Sequence, residues 1–125
     1  MKIAGMGCRG SATRASLRAA LSMAEAAGGR VDALATSPHK TADLAAFAQE
    51  QGLFLHSVDV FGVVTPTQSP RIAQHYGTGS LAEAAALAAA GPGARILVPR
   101  ITSPDGLATA AIAVSAEEIT KGAAE

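Results

Sequence analysis

Residues 1–11, MKIAGMGCRGS, decide how the rest of the sequence is interpreted. The apolar start, Lys2-Ile3-Ala4, predicts a β-strand, and the glycine-rich residues 5–11 predict a tight turn that leads into a helix. The first N–H groups of a helix lack partners within the helix and carry the positive end of its dipole, so such a turn can bind an anion. The predicted turn also carries Arg9 and Cys8, the only cysteine of the chain.

The remaining hydrophobic pattern predicts an α/β protein. Strands are predicted over residues 2–4, 31–35, 53–58, 95–99 and 107–114, and helices over residues 13–27, 42–51, 71–76 and 81–90. Because strands alternate with helices, we expect a mainly parallel, mixed five-stranded sheet between helices on both faces, a three-layer α/β/α sandwich. The turn signal Ser103-Pro104-Asp105-Gly106 predicts that the last strand is antiparallel to the fourth. Residues 1–125 are predicted to form a single domain.

Composition narrows the classes of partner. Lys and Arg total 10, Asp and Glu total 10, aromatic residues make up 3%, and Trp is absent. This balance argues against a nucleic-acid or membrane-surface partner. One cysteine excludes an internal disulfide and a cysteine-based metal site, and no other spacing indicates a metal or a cofactor. Neither a transmembrane run nor a signal peptide is predicted, so we expect a cytoplasmic protein.

The glycines Gly5, Gly7 and Gly10 match the dinucleotide-binding fingerprint G-x-G-x-x-G. That function needs an acidic residue at the end of the second strand, where it would hold the ribose hydroxyls. Asp32 has about the right spacing but lies at the start of the predicted strand, and Thr36-Ser37-Pro38 occupies the required place. A dinucleotide-binding module is therefore kept only as an alternative.

Cys8 is predicted to lie beside Arg9 at a helix N-terminus, where both effects favour a thiolate nucleophile. A base would be needed, and the only histidines are His39, His56 and His75. The simpler interpretation is a small residue that fits a tight turn, and we favour it.

A second glycine turn, Gly77-Thr78-Gly79-Ser80, precedes the helix over residues 81–90. Ser80 and Glu83 have capping-box spacing, which explains both residues, although Glu83 is also a candidate acid or base. Lys40 and Arg100 follow the predicted second and fourth strands and would share an edge of the sheet with Arg9. Three cations and two helix N-termini would suit a polycarboxylate or a phosphate.

These motifs together resemble the family of the cobalamin-biosynthesis protein CobE and the C-terminal domain of CbiG, the cobalt-precorrin-5A hydrolase. The resemblance covers nearly the whole chain. It is carried by Gly5-Met6-Gly7-Cys8-Arg9-Gly10, by Ser37-Pro38-His39-Lys40-Thr41-Ala42-Asp43, by Tyr76-Gly77-Thr78-Gly79-Ser80-Leu81-Ala82-Glu83-Ala84-Ala85-Ala86-Leu87, and by Ile96-Leu97-Val98-Pro99-Arg100 with residues 109–114. Arg100 departs from the pattern, since lysine is expected there in many relatives.

The resemblance implies an α/β/α sandwich and a role in making the corrin ring. The hydrolase form opens a δ-lactone on a cobalt-bound ring, expels acetaldehyde and carries a further N-terminal domain, so this sequence is more similar to the stand-alone CobE type. It is expected to bind a precorrin intermediate and to assist its conversion or transfer, alone or beside a precorrin methyltransferase. A hydrolase of a precorrin lactone is the alternative, with Glu83 and Cys8 as candidate catalytic residues. The expected substrate-binding residues are Gly7, Cys8, Arg9, Lys40, Gly77, Thr78, Gly79, Ser80 and Arg100.

Overall fold

The computed structural model describes residues 1–66 and 80–116. The chain runs through β1 (Lys2–Cys8), α1 (Arg14–Gly28), β2 (Ala33–Thr36), a 3-10 turn (Pro38–Lys40), α2 (Thr41–Gln51), β3 (Leu55–Ser57), α3 (Leu81–Ala90), β4 (Arg95–Thr102) and β5 (Ala108–Val114). The predicted helix over residues 71–76 lies outside the described residues.

The strands form one sheet in the order β3-β2-β1-β5-β4. β1 is parallel to β2, and β2 is parallel to β3, whereas β5 is antiparallel to both β1 and β4. The predicted α/β class, the mixed five-stranded sheet and the antiparallel hairpin of the last two strands are therefore confirmed.

One face of the sheet is covered by α1 and α2. Ala4 and Met6 of β1 point to this face and belong to a buried cluster that also contains the apolar sides of both helices. The apolar residues that recur at helical spacing along these two helices are all buried: Leu17, Ala20, Leu21, Ala24, Leu44, Phe47 and Ala48. Helical periodicity is sufficient to identify the buried face of these two helices, because their apolar residues repeat along a single stripe.

The opposite face is covered by α3, which lies unusually close to β1. A Cβ atom at Gly5 would overlap the carbonyl oxygen of Ala82 and lie 2.6 Å from Ala86 N. The first six residues of α3, Leu81 to Ala86, are all buried. An alanine-rich helix and a strand residue without a side chain together allow this close backbone approach.

The prediction that the first strand ends at Ala4 and is followed by a glycine turn is wrong. β1 continues to Cys8, and Gly5 and Gly7 lie inside the strand, opposite Ala111 and Thr109 of β5. The physical reason is packing against α3, since a Cβ atom at Gly7 would meet Leu81 Cδ2 at 3.2 Å. Gly5 and Gly7 of the fingerprint therefore permit contact between α3 and β1.

Candidate ligand-binding site

The candidate site lies at the carboxyl edge of the parallel strands. β1, β2 and β3 end at Cys8, Thr36 and Ser57. Each crossover helix runs back against the strands, so the start of each helix faces the same edge. The site is therefore made of strand ends, the loops after them and the beginnings of three helices.

Arg9 lies in the loop between β1 and α1. Its backbone N–H donates to the carbonyl of Leu107 at 2.8 Å, and its side chain is exposed. No ion pair to the Arg9 guanidinium occurs within residues 1–66 and 80–116. α1 begins only at Arg14, with Thr13 as its cap, so the prediction that Cys8 and Arg9 lie directly at a helix N-terminus is wrong.

The hairpin turn between β4 and β5 is hydrogen-bonded to the first turn of α1, beside this loop. Asp105 accepts hydrogen bonds from Ser16 Oγ at 2.5 Å and from Ser103 Oγ at 2.6 Å. These hydroxyl donors, together with the Leu107 N–H, hold the pKa of Asp105 below its ordinary value. Ser16 also shares a capping box with Thr13, so the start of α1 and the hairpin turn are held together.

Cys8 is the last residue of β1 and is half-buried. Burial raises the pKa of its thiol, the Lys40 charge lowers it by a smaller amount, and the Asp43 charge raises it. The thiolate considered as an alternative for Cys8 is therefore not favoured, because desolvation of a thiolate outweighs the stabilisation by the cation nearby. The same interactions show that Lys40 and Asp43 lie within electrostatic reach of the Cys8 sulfur.

Lys40 ends the 3-10 turn after β2, as the sequence predicted for a residue following the second strand. Its side chain is only 19% exposed, and its Nζ atom lies 3.9 Å from Asp43 Oδ2. An ion pair at this distance is loose, so the ammonium group retains donors for a ligand. Cys8, Arg9 and Lys40 are thus brought to one part of the edge.

Ser37 is a residue of this edge that the sequence analysis did not select as a site residue. Its side chain is 1% exposed, and its hydroxyl has no hydrogen-bond partner. Buried hydroxyl groups normally have a partner, so this one is unusual. The sequence signal for a site residue was the place of Ser37 directly after a strand and three positions before Lys40. That signal was not specific, because a serine before a proline is also typical of an ordinary turn.

Ser80 and Glu83 form the start of α3 and are both fully buried. Ser80 Oγ accepts a hydrogen bond from Glu83 N at 3.4 Å, which fits the predicted cap. The Glu83 carboxylate has a further role, because its Oε2 atom accepts the backbone N–H of Arg100 at 2.8 Å. A pattern of local spacing could not reveal this contact, since its partner is 17 residues away.

Arg100 lies inside β4, not after it as predicted. Val98 pairs with Ile112 and Ile101 pairs with Ala110, so β4 has one extra residue at Pro99-Arg100. Such a β-bulge is tolerated here because β4 is an edge strand and Pro99 has no N–H to pair. The bulge frees the Arg100 N–H to bond with Glu83, and Arg100 itself is half-buried.

Gly77, Thr78 and Gly79, the remaining predicted site residues, lie outside the described residues. The acid considered for a dinucleotide site, Asp32, lies at the opposite edge, where its Oδ2 atom accepts the Lys2 N–H at 2.8 Å. Across the two described ranges no cluster of His, Cys, Asp and Glu is suited to hold a metal ion. In the same part of the chain no helix has the length and apolar character needed to cross a membrane.

A protein-family model described as "Cobalamin synthesis G C-terminus" matches residues 2–113. The chain therefore belongs to this family of cobalamin biosynthesis proteins, which confirms the resemblance inferred from its motifs.

Two solved structures are similar to the chain. CobE, a protein from the cobalamin (vitamin B12) biosynthetic pathway, is 30% identical with a TM-score of 0.77 over 90% of this chain and 89% of that chain. The cobalamin biosynthesis protein chiG from Agrobacterium tumefaciens strain C58 is 40% identical with a TM-score of 0.69 over 92% of this chain and 98% of that chain. A search of curated protein sequences finds no significant match.

Proposed function

We propose that the chain binds a precorrin intermediate of cobalamin biosynthesis at the carboxyl edge of its sheet and assists the conversion or transfer of that intermediate. The observation that carries this proposal is the set of cations at this edge. The guanidinium groups of Arg9 and Arg100 make no ion pair with a carboxylate of the described residues, and the Lys40 ammonium makes only a loose one. A precorrin is a flat macrocycle whose rim carries acetate and propionate groups, and each carboxylate can accept charge-assisted hydrogen bonds.

The spacing of the cations supports a broad ligand. Lys40 follows β2, Arg9 follows β1 and Arg100 lies in β4, so the set spans four neighbouring strands. Adjacent strands lie about 4.8 Å apart, which places β2 and β4 about 14 Å from each other. Several carboxylates distributed around one macrocycle would meet such a set better than a single small anion.

The hydrogen bond from the Arg100 backbone N–H to Glu83 gives this carboxylate a structural role. It therefore supports a protein that binds the intermediate rather than an enzyme that uses Glu83 as a catalytic residue. Glu83 is fully buried, and one of its oxygens already holds the β4 bulge. The raised pKa of Cys8 keeps its thiol protonated near neutral pH, which weakens it as a nucleophile. The alternative of a lactone hydrolase remains a prediction, and turnover that is lost in Cys8→Ser or Glu83→Gln would support it.

The proposed binding is tested by replacing Arg9 with alanine. One charge-assisted hydrogen bond contributes about 1.5–3 kcal/mol, so Arg9→Ala should weaken binding of hydrogenobyrinic acid, a metal-free corrin acid, by about tenfold or more. Arg30→Ala is the matched control, because Arg30 is also an exposed arginine but lies between α1 and the amino end of β2. Dissociation constants come from visible-absorbance titrations, and an equal constant for both variants would refute the assignment of Arg9.

We further propose that the bound intermediate is passed to or from another enzyme of the pathway, such as a precorrin methyltransferase, in the cytoplasm. Membership of a cobalamin-biosynthesis family supports a pathway ligand. Saturable co-sedimentation of the chain with a methyltransferase only when the corrin acid is present would support this transfer. Co-sedimentation that is the same with and without the corrin acid would count against it.

A further inference from the structure

The turn after β3 exposes two large apolar side chains. Phe61 is 76% exposed and Val64 is 87% exposed, although the chain contains only three phenylalanines and Phe47 is fully buried. Single exposed apolar residues are common on protein surfaces, but here two occur three positions apart in one turn. Their exposure therefore calls for a physical explanation.

The turn itself is well defined. Asp59 Oδ1 accepts the Phe61 N–H at 3.0 Å, and the Val63 N–H donates to the Val60 carbonyl at 3.3 Å. Gly62 has a φ of 76°, a left-handed conformation that favours glycine. Val60 is 3% exposed and anchors the turn in the core. Phe61 is thus held outward by a fixed backbone.

The turn adjoins the candidate site. Val58 N–H donates to the Thr36 carbonyl at 2.9 Å, and Ser57 Oγ lies 3.0 Å from Thr41 Oγ1, next to Lys40. Val60 belongs to the same buried cluster as Leu81, the first residue of α3. The turn therefore leaves the sheet at the carboxyl edge, close to the start of α2 and on the α3 side.

We propose that Phe61 and Val64 form an apolar platform that contacts the flat face of the macrocycle whose carboxylates bind Arg9, Lys40 and Arg100. This inference rests on the proposed function and adds a second kind of contact to it. The cations can satisfy only the charged rim of a corrin, while its ring face is largely apolar and is stabilised by contact with apolar side chains. The turn leaves the sheet at the same carboxyl edge as the cations, beside Thr41, the residue after Lys40, so a flat polycarboxylate at this edge meets both kinds of side chain.

The test compares Phe61→Ala with Phe54→Ala in visible-absorbance titrations with hydrogenobyrinic acid. Phe54 is 69% exposed, similar to Phe61, but it precedes β3 and packs edge-on against His56 with ring centroids 4.8 Å apart. Both side chains are exposed, so both variants should fold, which circular dichroism verifies. Loss of about half of a buried phenylalanine contact should weaken binding by about four- to tenfold in Phe61→Ala, and Phe54→Ala should bind as the unmodified chain does.

Salt separates the two kinds of contact. Added salt screens exposed charges, so the effect of Arg9→Ala should shrink at high salt while the effect of Phe61→Ala persists. Binding by the unmodified chain together with unchanged binding by Phe61→Ala would overturn the platform and leave the cationic site intact. A change of oligomeric state in Phe61→Ala, measured by light scattering, without a change in affinity would overturn it in favour of a second copy of the chain. Absence of binding by the unmodified chain would overturn the proposed function and the platform with it.

Discussion

Replacing Gly5 by alanine tests whether the glycines of β1 serve packing or ligand binding. The new methyl group would overlap Ala82 O and lie 2.6 Å from Ala86 N and 2.9 Å from Ala82 C. Overpacking a core costs about 1–3 kcal/mol when side chains can adjust. Here the opposing atoms belong to the backbone of α3, which cannot rotate away, so we expect a loss of about 3 kcal/mol or more of unfolding free energy. That loss corresponds to a fall in Tm of roughly 10 °C or more.

Gly10→Ala is the matched control. A Cβ atom at Gly10 would meet nothing within 4 Å, and Gly10 has no positive φ. The unfolding free energy of this variant should therefore be within about 0.5 kcal/mol of that of the unmodified chain. Both values come from denaturant unfolding monitored by circular dichroism. If Gly5→Ala and Gly10→Ala were equally stable while both lost the corrin ligand, the glycines would act as a ligand-binding turn and the packing argument would be refuted.

Three other changes probe the contacts around the site. Glu83→Ala should lower the unfolding free energy by about 1–3 kcal/mol, because the Arg100 N–H loses its acceptor. Glu83→Gln keeps an acceptor oxygen at this place and should lower it by less. Chemical denaturation measures both variants. Folding lowers the pKa of Asp105, so the stability that Asp105 contributes is present above its unfolded pKa and is lost as pH falls through the folded pKa. In Asp105→Asn, Tm should therefore fall less steeply as the pH is lowered into the acid range. An unchanged dependence of Tm on acid pH would contradict the role of the Asp105 hydrogen bonds. Alkylation of Cys8 by iodoacetamide should be slow at neutral pH, and its rate should still be rising with pH at the ordinary thiol pKa of 9.0, because burial raises the pKa of this thiol. A fast reaction at pH 7 whose rate no longer rises with pH would indicate a stabilised thiolate.

Much of the fold could be predicted because its signals are local. The inward faces of α1 and α2 follow from helical periodicity, and the hairpin follows from the turn residues 103–106. The start of α3 at Leu81 follows from Ser80 as a cap. These signals involve residues close in sequence, so a single sequence contains them.

The errors arose where distant residues decide the structure. Gly5 resembles a turn glycine, and only the presence of Ala82 on the adjacent helix shows that it is a packing position. The extent of β4 depends on a bulge that Glu83 stabilises from another element. The pKa of Cys8 is set mainly by burial, which no local motif reports. Lys40 was correctly placed after β2, but its loose pair with Asp43 and the unpaired Ser37 hydroxyl became visible only in three dimensions.

The measurement that tests the central claim most directly is a visible-absorbance titration of the unmodified chain with hydrogenobyrinic acid. A precorrin-binding edge predicts a saturable spectral shift at micromolar ligand, with a midpoint that rises with salt because Arg9, Lys40 and Arg100 contact carboxylates. No shift from a protein shown by circular dichroism to be folded would contradict binding of a corrin acid by the chain alone.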